Sequence, residues 1–118
     1  MIGVDDVREL VDGLPRAYEV LVRGRIKFRV GAIVFAAFSR DESLMGFGFP
    51  RDERDALIAG DPAKFLLPPT SDLRFQWVMA RTTELDVDEM RELVLDAWAM
   101  VVPKKVSAPI LAAWISPP

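Results

Sequence analysis

Residues 18–38 read YEVLVRGRIKFRVGAIVFAAF and contain the clearest strand pattern of the chain. Between Tyr18 and Phe38, β-branched and aromatic residues recur with a period of two, which is typical of strands with one buried face. Gly24 and Gly31 interrupt this alternation. Because glycine permits the backbone conformations of tight turns, the stretch predicts three short strands that follow one another as a meander.

The segments on either side add helices and further strands. Apolar residues at spacings of three and four predict a first helix, and Asp86 followed by Glu89 resembles a capping box that opens the strongest helix. In the last predicted strand, Phe75, Trp77 and Met79 alternate with other residues, so we expect them to face the core. The expected elements are a helix over 4–14, three strands within 18–38, a strand over 44–49, a helix over 51–59, a strand over 73–81, a helix from Asp86 to Val101 and a closing helix over 104–114 that Pro109 interrupts.

This order predicts an α+β fold. The loops between strands are too short for the crossover connections of parallel strands. We therefore expect an antiparallel sheet of about five strands packed by helices in two layers, in the order α-β-β-β-β-α-β-α with a further terminal helix. A chain of 118 residues is close to the commonest domain size, which predicts a single domain over residues 1–118.

Composition excludes several classes of enzyme. The chain has no cysteine and no histidine, which removes disulfides, thiol nucleophiles, Ser-His-Asp triads and the usual zinc sites. We find no other catalytic constellation, and therefore expect a protein that is not an enzyme and has no catalytic residue, cofactor or metal site. Acidic residues near the N-terminus, where a signal peptide would be basic, and the lack of a long apolar run predict a cytoplasmic protein without a membrane segment.

One segment is basic although the chain as a whole is acidic, with a net charge of −3. Within residues 16–29, five basic residues accompany Glu19 as the single acid. Strand alternation places Arg25, Lys27 and Arg29, here called the basic row, on one face at intervals of about 6.5 Å, close to the phosphate spacing of a nucleic-acid strand. The row predicts either salt-sensitive phosphate contacts or a solvated strand face, whose cations pair with carboxylates of neighbouring strands or discourage edge pairing.

Three further features have alternative interpretations. Asp5, Glu9 and Asp12 share a face of the first helix, but Arg8 lies among them, which favours helix-dipole chemistry over a cation site. The acidic segment 84–98 could dock the basic strand of another subunit or form the solvated face of its helix. Among the tryptophans, Trp77 and Trp98 occupy buried phases of their elements, whereas Trp114 lies in an apolar C-terminal segment that is a candidate dimer contact.

Several short stretches follow one another in a characteristic order and together span nearly the whole chain. These stretches are Leu14-Pro15, Gly24–Val30, Ile33–Ala36, Pro50–Arg54 with Leu57, Trp77-Val78, Ala97-Trp98 and Pro103-Lys104. In this order and spacing they resemble the MmcQ/YjbR family. The resemblance implies helices packed on an antiparallel sheet, as in the group called double-wing or CyaY-like. Two positions depart from the family pattern: Arg25 stands where histidine is usual, and Gly48 stands where lysine commonly ends the fourth strand.

The family is commonly labelled DNA-binding, so the resemblance implies non-specific contacts with the DNA backbone. The alternative is a protein-interaction module or homodimer that uses the C-terminal apolar segment around Trp114. The basic row and the family label together nominate as nucleic-acid-binding residues Arg23, Arg25, Lys27, Arg29, Lys104 and Lys105.

Overall fold

The computed structural model describes residues 1–115, which form four α-helices and six β-strands joined by turns and two short 3₁₀ segments. None of the helices in this range combines the length and the apolar character needed to cross a lipid bilayer. The elements are α1 Val4–Val11, β1 Ala17–Val22, β2 Arg25–Val30, β3 Ile33–Phe38, β4 Leu44–Gly48, α2 Arg51–Gly60, β5 Phe65–Leu66, β6 Trp77–Arg81, α3 Val87–Ala99 and α4 Lys104–Ile115.

All six strands form one sheet in the order β1-β2-β3-β4-β6-β5, and every neighbouring pair is antiparallel. The first four strands follow one another as the predicted meander. The additional strand, β5, comprises Phe65 and Leu66, which pair with Ala80 and Met79. Two residues are too few to show an alternating pattern, which is why the sequence predicts about five strands. The α+β class and the antiparallel sheet are confirmed.

The β1–β2 hairpin closes with a two-residue turn. Val22 pairs with Arg25, and the two residues between them, Arg23 and Gly24, have positive φ angles of 53° and 77°. Turns with two positive φ angles match the right-handed twist of the flanking strands. The Arg23 carbonyl accepts a hydrogen bond from Arg40 Nε at 3.0 Å, which holds this turn against the loop between β3 and β4.

α1 and α3 pack against one face of the sheet and enclose the core. Trp98 of α3 has no exposed surface, and its Nε1 donates to the Pro15 carbonyl at 3.0 Å. This bond ties α3 to the segment that leads from α1 into β1. The core joins strand residues Phe28, Phe35, Phe38, Met45, Phe47 and Val78 to helix residues Val7, Met90, Val94 and Trp98, all without exposed surface.

The helix ends agree with the predictions in part. α3 begins as predicted, because the Asp86 carboxylate accepts a hydrogen bond from the Glu89 amide at 2.7 Å. α1 ends at Val11, earlier than predicted, although Leu14 remains buried. The predicted interruption of α4 is wrong, since the helix continues through Pro109. Pro109 is exposed, and solvent can satisfy the carbonyl that its missing N–H leaves free.

The substitution Trp98→Phe tests the tie between α3 and the α1–β1 segment. We expect it to lower the free energy of unfolding by about 2–3 kcal/mol, because one hydrogen bond is lost and a cavity opens in the core. Urea denaturation followed by circular dichroism measures this change. The matched control is Trp114→Phe, with an expected change below about 0.5 kcal/mol, since Trp114 is 46% exposed. Equal losses in the two variants would contradict the assigned role of Trp98.

Candidate functional site

Among residues 1–115, the main hydrophobic core lies on one face of the sheet, and the other face contributes no side chain to it. α1 and α3 cover the side chains that share a face with Phe28, and alternation with cross-strand pairing assigns the others to the opposite face, here called the open face. None of its members belongs to the main hydrophobic core, although Ala37 and Met79 are themselves buried. The open face consists of Tyr18, Val20, Val22, Arg25, Lys27, Arg29, Val34, Ala37, Leu44, Gly46, Leu66, Trp77, Met79 and Arg81.

The basic row lies on this open face. Arg25, Lys27 and Arg29 are each half-buried. Within residues 1–115, no carboxylate lies at ion-pairing distance from any of them, and the open face itself includes no acidic residue. Pairing with carboxylates of neighbouring strands, one form of the solvated-face interpretation, is therefore not observed in the described part of the chain.

The single acid of the basic segment, Glu19, is held on the other face of the sheet. It pairs in register with Phe28, and its carboxylate accepts two hydrogen bonds from Arg8 of α1, both at 2.8 Å. The Arg8 guanidinium holds the pKa of Glu19 below its usual value. Arg8 also pairs with Asp5 at 3.0 Å. The charge of Glu19 is thus compensated by α1 and directed away from the basic row.

Most of the hydrogen-bond donors of the basic row have no acceptor within residues 1–115. Arg25 Nε donates to the Phe38 carbonyl at a long 3.4 Å. Arg29 Nε is buried, and no hydrogen-bond partner for it lies within residues 1–115. The Lys27 ammonium and the terminal nitrogens of Arg29 are reached by solvent and make no hydrogen bond in this range. These donors are available to an anion from outside.

Two further cations border the row. Arg40 contacts the carbonyl of Arg23 across the β1–β2 turn, so that end of the sheet carries two exposed arginines beside Arg25. Arg81 lies on the open face at the end of β6, and one of its terminal nitrogens donates to the Ala63 carbonyl at 2.8 Å. Arg40 was not predictable as a neighbour of the row, because only the tertiary contact between two loops brings it there.

The two lysines nominated as a second basic point lie elsewhere. Lys104 and Lys105 open α4 and are exposed. α4 packs against α3, in the helical layer on the other side of the sheet from the open face. Of the nominated residues, the structure therefore brings together Arg23, Arg25, Lys27 and Arg29, and it separates Lys104 and Lys105 from them.

The sequence predicts that Trp77 faces the core, but the structure places it on the open face. Val78 and Ala80 of β6 fill the core face, so alternation places Trp77 and Met79 on the open face, where Trp77 is half-buried. The predicted phase of this strand is wrong, because both faces of β6 are apolar and hydrophobicity alone cannot distinguish them. Trp98, by contrast, is buried as predicted.

The indole of Trp77 lies over Gly46 of the neighbouring strand β4. A Cβ at Gly46 would lie 2.5–2.7 Å from the indole atoms Nε1, Cε2 and Cζ2, a distance at which one of the two must move. Glycine at this position therefore provides the space that the indole fills. Trp77 Nε1 is accessible to solvent and makes no hydrogen bond within residues 1–115.

Two arginines of α2 fix the backbone that carries Trp77. Arg54 is 7% exposed, and its terminal nitrogens donate to the carbonyls of Leu73 at 3.1 Å, Phe75 at 3.3 Å and Trp77 at 3.1 Å. Arg51 donates to the Arg74 carbonyl at 2.8 Å. The segment before β6 has no regular secondary structure to satisfy these carbonyls, so the guanidinium groups of α2 take over that task.

A second surface lies between α1, α3 and α4 around Trp114. The Arg91 guanidinium is 5.9 Å from the centre of the Trp114 ring, and cavities of about 450 and 290 Å³ adjoin this pair. Burial, followed by the charge of Glu92, raises the pKa of Asp96 in the larger cavity. No group of three or more metal-ligating side chains occurs within residues 1–115. The lining of the larger cavity is Asp88, Arg91, Glu92, Leu95, Asp96, Leu111 and Trp114.

The contact between Gly46 and Trp77 can be tested by a double-mutant cycle. We expect Gly46→Ala to lower the free energy of unfolding by about 1–3 kcal/mol, because the added methyl displaces the indole. The loss should shrink by at least about 1 kcal/mol in the background of Trp77→Leu, whose smaller side chain vacates the space. Urea denaturation measures all four proteins.

A matched control for this cycle is Gly60→Ala, since a Cβ at Gly60 meets no atom within 4 Å. Its expected effect is within about 0.5 kcal/mol. Additive effects of Gly46→Ala and Trp77→Leu would refute the proposed contact.

Comparison with known proteins places these features in a family. The crystal structure of the Deinococcus radiodurans protein DR2400, with domain DUF419, has a TM-score of 0.76 against this chain at 18% identity. The similarity covers 93% of this chain and 88% of that one, and it shows a common fold. Curated proteins gave no match. The profile of the YjbR family matches residues 12–100, which include the whole basic row and Trp77, and the chain therefore belongs to the YjbR family.

Proposed function

We propose that this protein is a non-enzymatic binding domain whose open face contacts the phosphates of DNA. The observation that carries the proposal is the charge of that face. It holds Arg25, Lys27, Arg29 and Arg81 and includes no acidic residue, although the whole chain has a net charge of −3. A surface of this composition attracts polyanions while the rest of the molecule repels them.

The spacing of the basic row supports contact with successive phosphates. Residues that alternate along a strand recur about every 6.5 Å on one face, so the three cations follow a line that a nucleic-acid backbone can match. Flexible lysine and arginine heads neutralise phosphates without reading base edges. The expected binding is therefore independent of sequence and strongly dependent on salt.

Acidic side chains concentrate on the helical side of the molecule. Asp88, Glu92 and Asp96 follow one another at intervals of four residues along α3 and line a cavity there. The charge distribution is therefore uneven: the open face is basic, and α3 is acidic. Such an arrangement orients the protein as it approaches a polyanion and leaves one face competent to bind.

The test is fluorescence-anisotropy titration of a labelled mixed-sequence oligonucleotide at 50 and 200 mM salt. For three phosphate contacts with duplex DNA, we expect affinity to fall about 40-fold between these concentrations. The variant Arg25→Gln/Lys27→Gln should weaken binding for all sequences and reduce the slope of log affinity against log salt by about 2.

The matched control is Lys104→Gln/Lys105→Gln, which removes the same charge from the helical layer. We expect this variant to bind almost as the unmodified protein does. Equal weakening in the two variants would assign the effect to net charge and overturn the role of the open face. Absence of binding to either single-stranded or duplex DNA at 50 mM salt would refute the proposed function itself.

A second candidate function is association of two copies through the surface around Trp114, and two observations favour it. Trp114 is 46% exposed beside a cavity with three acidic side chains. The open face of a second copy offers the complementary positive charge. Such a contact joins different surfaces of the two copies, so DNA should compete with it.

Sedimentation velocity distinguishes this second candidate. The second candidate is supported if the protein associates at 50 mM salt and if this association is lost both in Trp114→Ser and in the presence of DNA. A monomer at all protein concentrations would refute it, without consequence for DNA binding.

A further inference from the structure

We propose that the open face takes DNA as a single strand, with phosphates on the basic row and a base against the indole of Trp77. This inference rests on the proposed function and specifies its ligand. The site lies across the neighbouring strands β2, β3, β4 and β6, where an aromatic side chain adjoins the cations.

The register of the sheet brings the row and the indole side by side. Lys27 pairs with Ala37, and Ala37 pairs with Gly46. Two strand spacings, about 9.5 Å, separate β2 from β4, and the indole of Trp77 occupies the space over Gly46. Ala37 and Gly46 are the two smallest residue types, so no bulky side chain stands between Lys27 and the indole.

Trp77 has the properties of a contact residue and lacks those of a core residue. Its Nε1 is accessible to solvent and has no acceptor within residues 1–115, whereas Nε1 of the buried Trp98 donates to Pro15. An aromatic ring with a free donor is typical of binding surfaces. Its π surface can stack on any of the four bases, and its N–H can donate to a phosphate or a base edge.

A second aromatic ring lies on the other side of the row. Tyr18 of β1 pairs in register with Arg29 and is 42% exposed. Its hydroxyl donates to the Gly31 carbonyl, which fixes the ring at the margin of the sheet. Binding sites for single-stranded nucleic acids combine rows of cations with aromatic rings.

A duplex cannot use this arrangement. Its bases are stacked on one another and present only edges in the grooves, so the indole would meet sugar and phosphate in place of a base. α1 and α3 pack on the opposite face of the sheet, so neither can enter a groove while the open face contacts the backbone. A single strand exposes both its phosphates and its bases to a flat surface.

The experiment compares a labelled 12-nucleotide mixed-sequence single strand with the duplex of the same sequence, by anisotropy at 50 mM salt. We expect the single strand to bind at least about tenfold more tightly. Trp77→Leu should weaken single-strand binding about 5- to 100-fold, the effect of losing one base stack, and should leave duplex binding unchanged. Trp77→Phe, which keeps an aromatic ring, should restore most of the affinity.

Trp114→Leu is the matched control, since it removes an exposed tryptophan from the helical layer, and thermal unfolding verifies that each variant is folded. Duplex binding as tight as single-strand binding would overturn the inference while the dependence on the basic row still supported the proposed function. The inference would also be overturned, with the proposed function intact, if Trp77→Leu and Trp114→Leu bound the single strand equally tightly. It would likewise be overturned if Trp77→Phe bound the single strand no better than Trp77→Leu. Failure of both DNA forms to bind would refute the proposed function as well.

Discussion

The burial of Phe28 is the constraint on which the arrangement of the sheet depends. This side chain has no exposed surface, and alternation then directs its neighbours Lys27 and Arg29 to the opposite face. A slip of one residue in register would bring the three cations of the basic row into the core, where an unpaired charge is prohibitively costly. The same apolar packing that stabilises the fold therefore determines where the positive charge lies.

Net charge is a poor guide to the surface of this protein. A total of −3 argues against a polyanionic ligand if the charges are averaged over the molecule. The fold separates them, because the acids lie on helices and turns or, like Glu19, are bound by a basic residue on the helical side. The potential that a ligand meets at the open face depends on the local cations, since more distant charges are screened within about one Debye length, roughly 10 Å at 0.1 M salt.

Local patterns predicted most of the fold but only part of the site. The three strands of residues 18–38 were predictable because glycine turns and alternation both act within a few residues, and the basic row followed from the same alternation. The phase of β6 was not predictable, because Val78 and Ala80 are as apolar as Trp77 and Met79. Which pair enters the core is decided by partners in β4 and the helices. The position of Arg40 beside the β1–β2 turn likewise exists only in the folded chain.

The placement of Trp77 is maintained by interactions that contribute nothing to the main core. Gly46 leaves room for the indole at the expense of strand propensity, and Arg54 is buried with its charge to hold the three carbonyls of the preceding segment. Arg54 pairs with no carboxylate of residues 1–115, and a buried guanidinium in such a position is an expensive way to order a loop. A smaller side chain at position 77 would make Gly46 unnecessary, whereas the carbonyls that Arg54 holds need a donor whatever residue stands there. The cost of this glycine is accounted for by the proposal that the half-buried indole beside the basic row contacts the ligand.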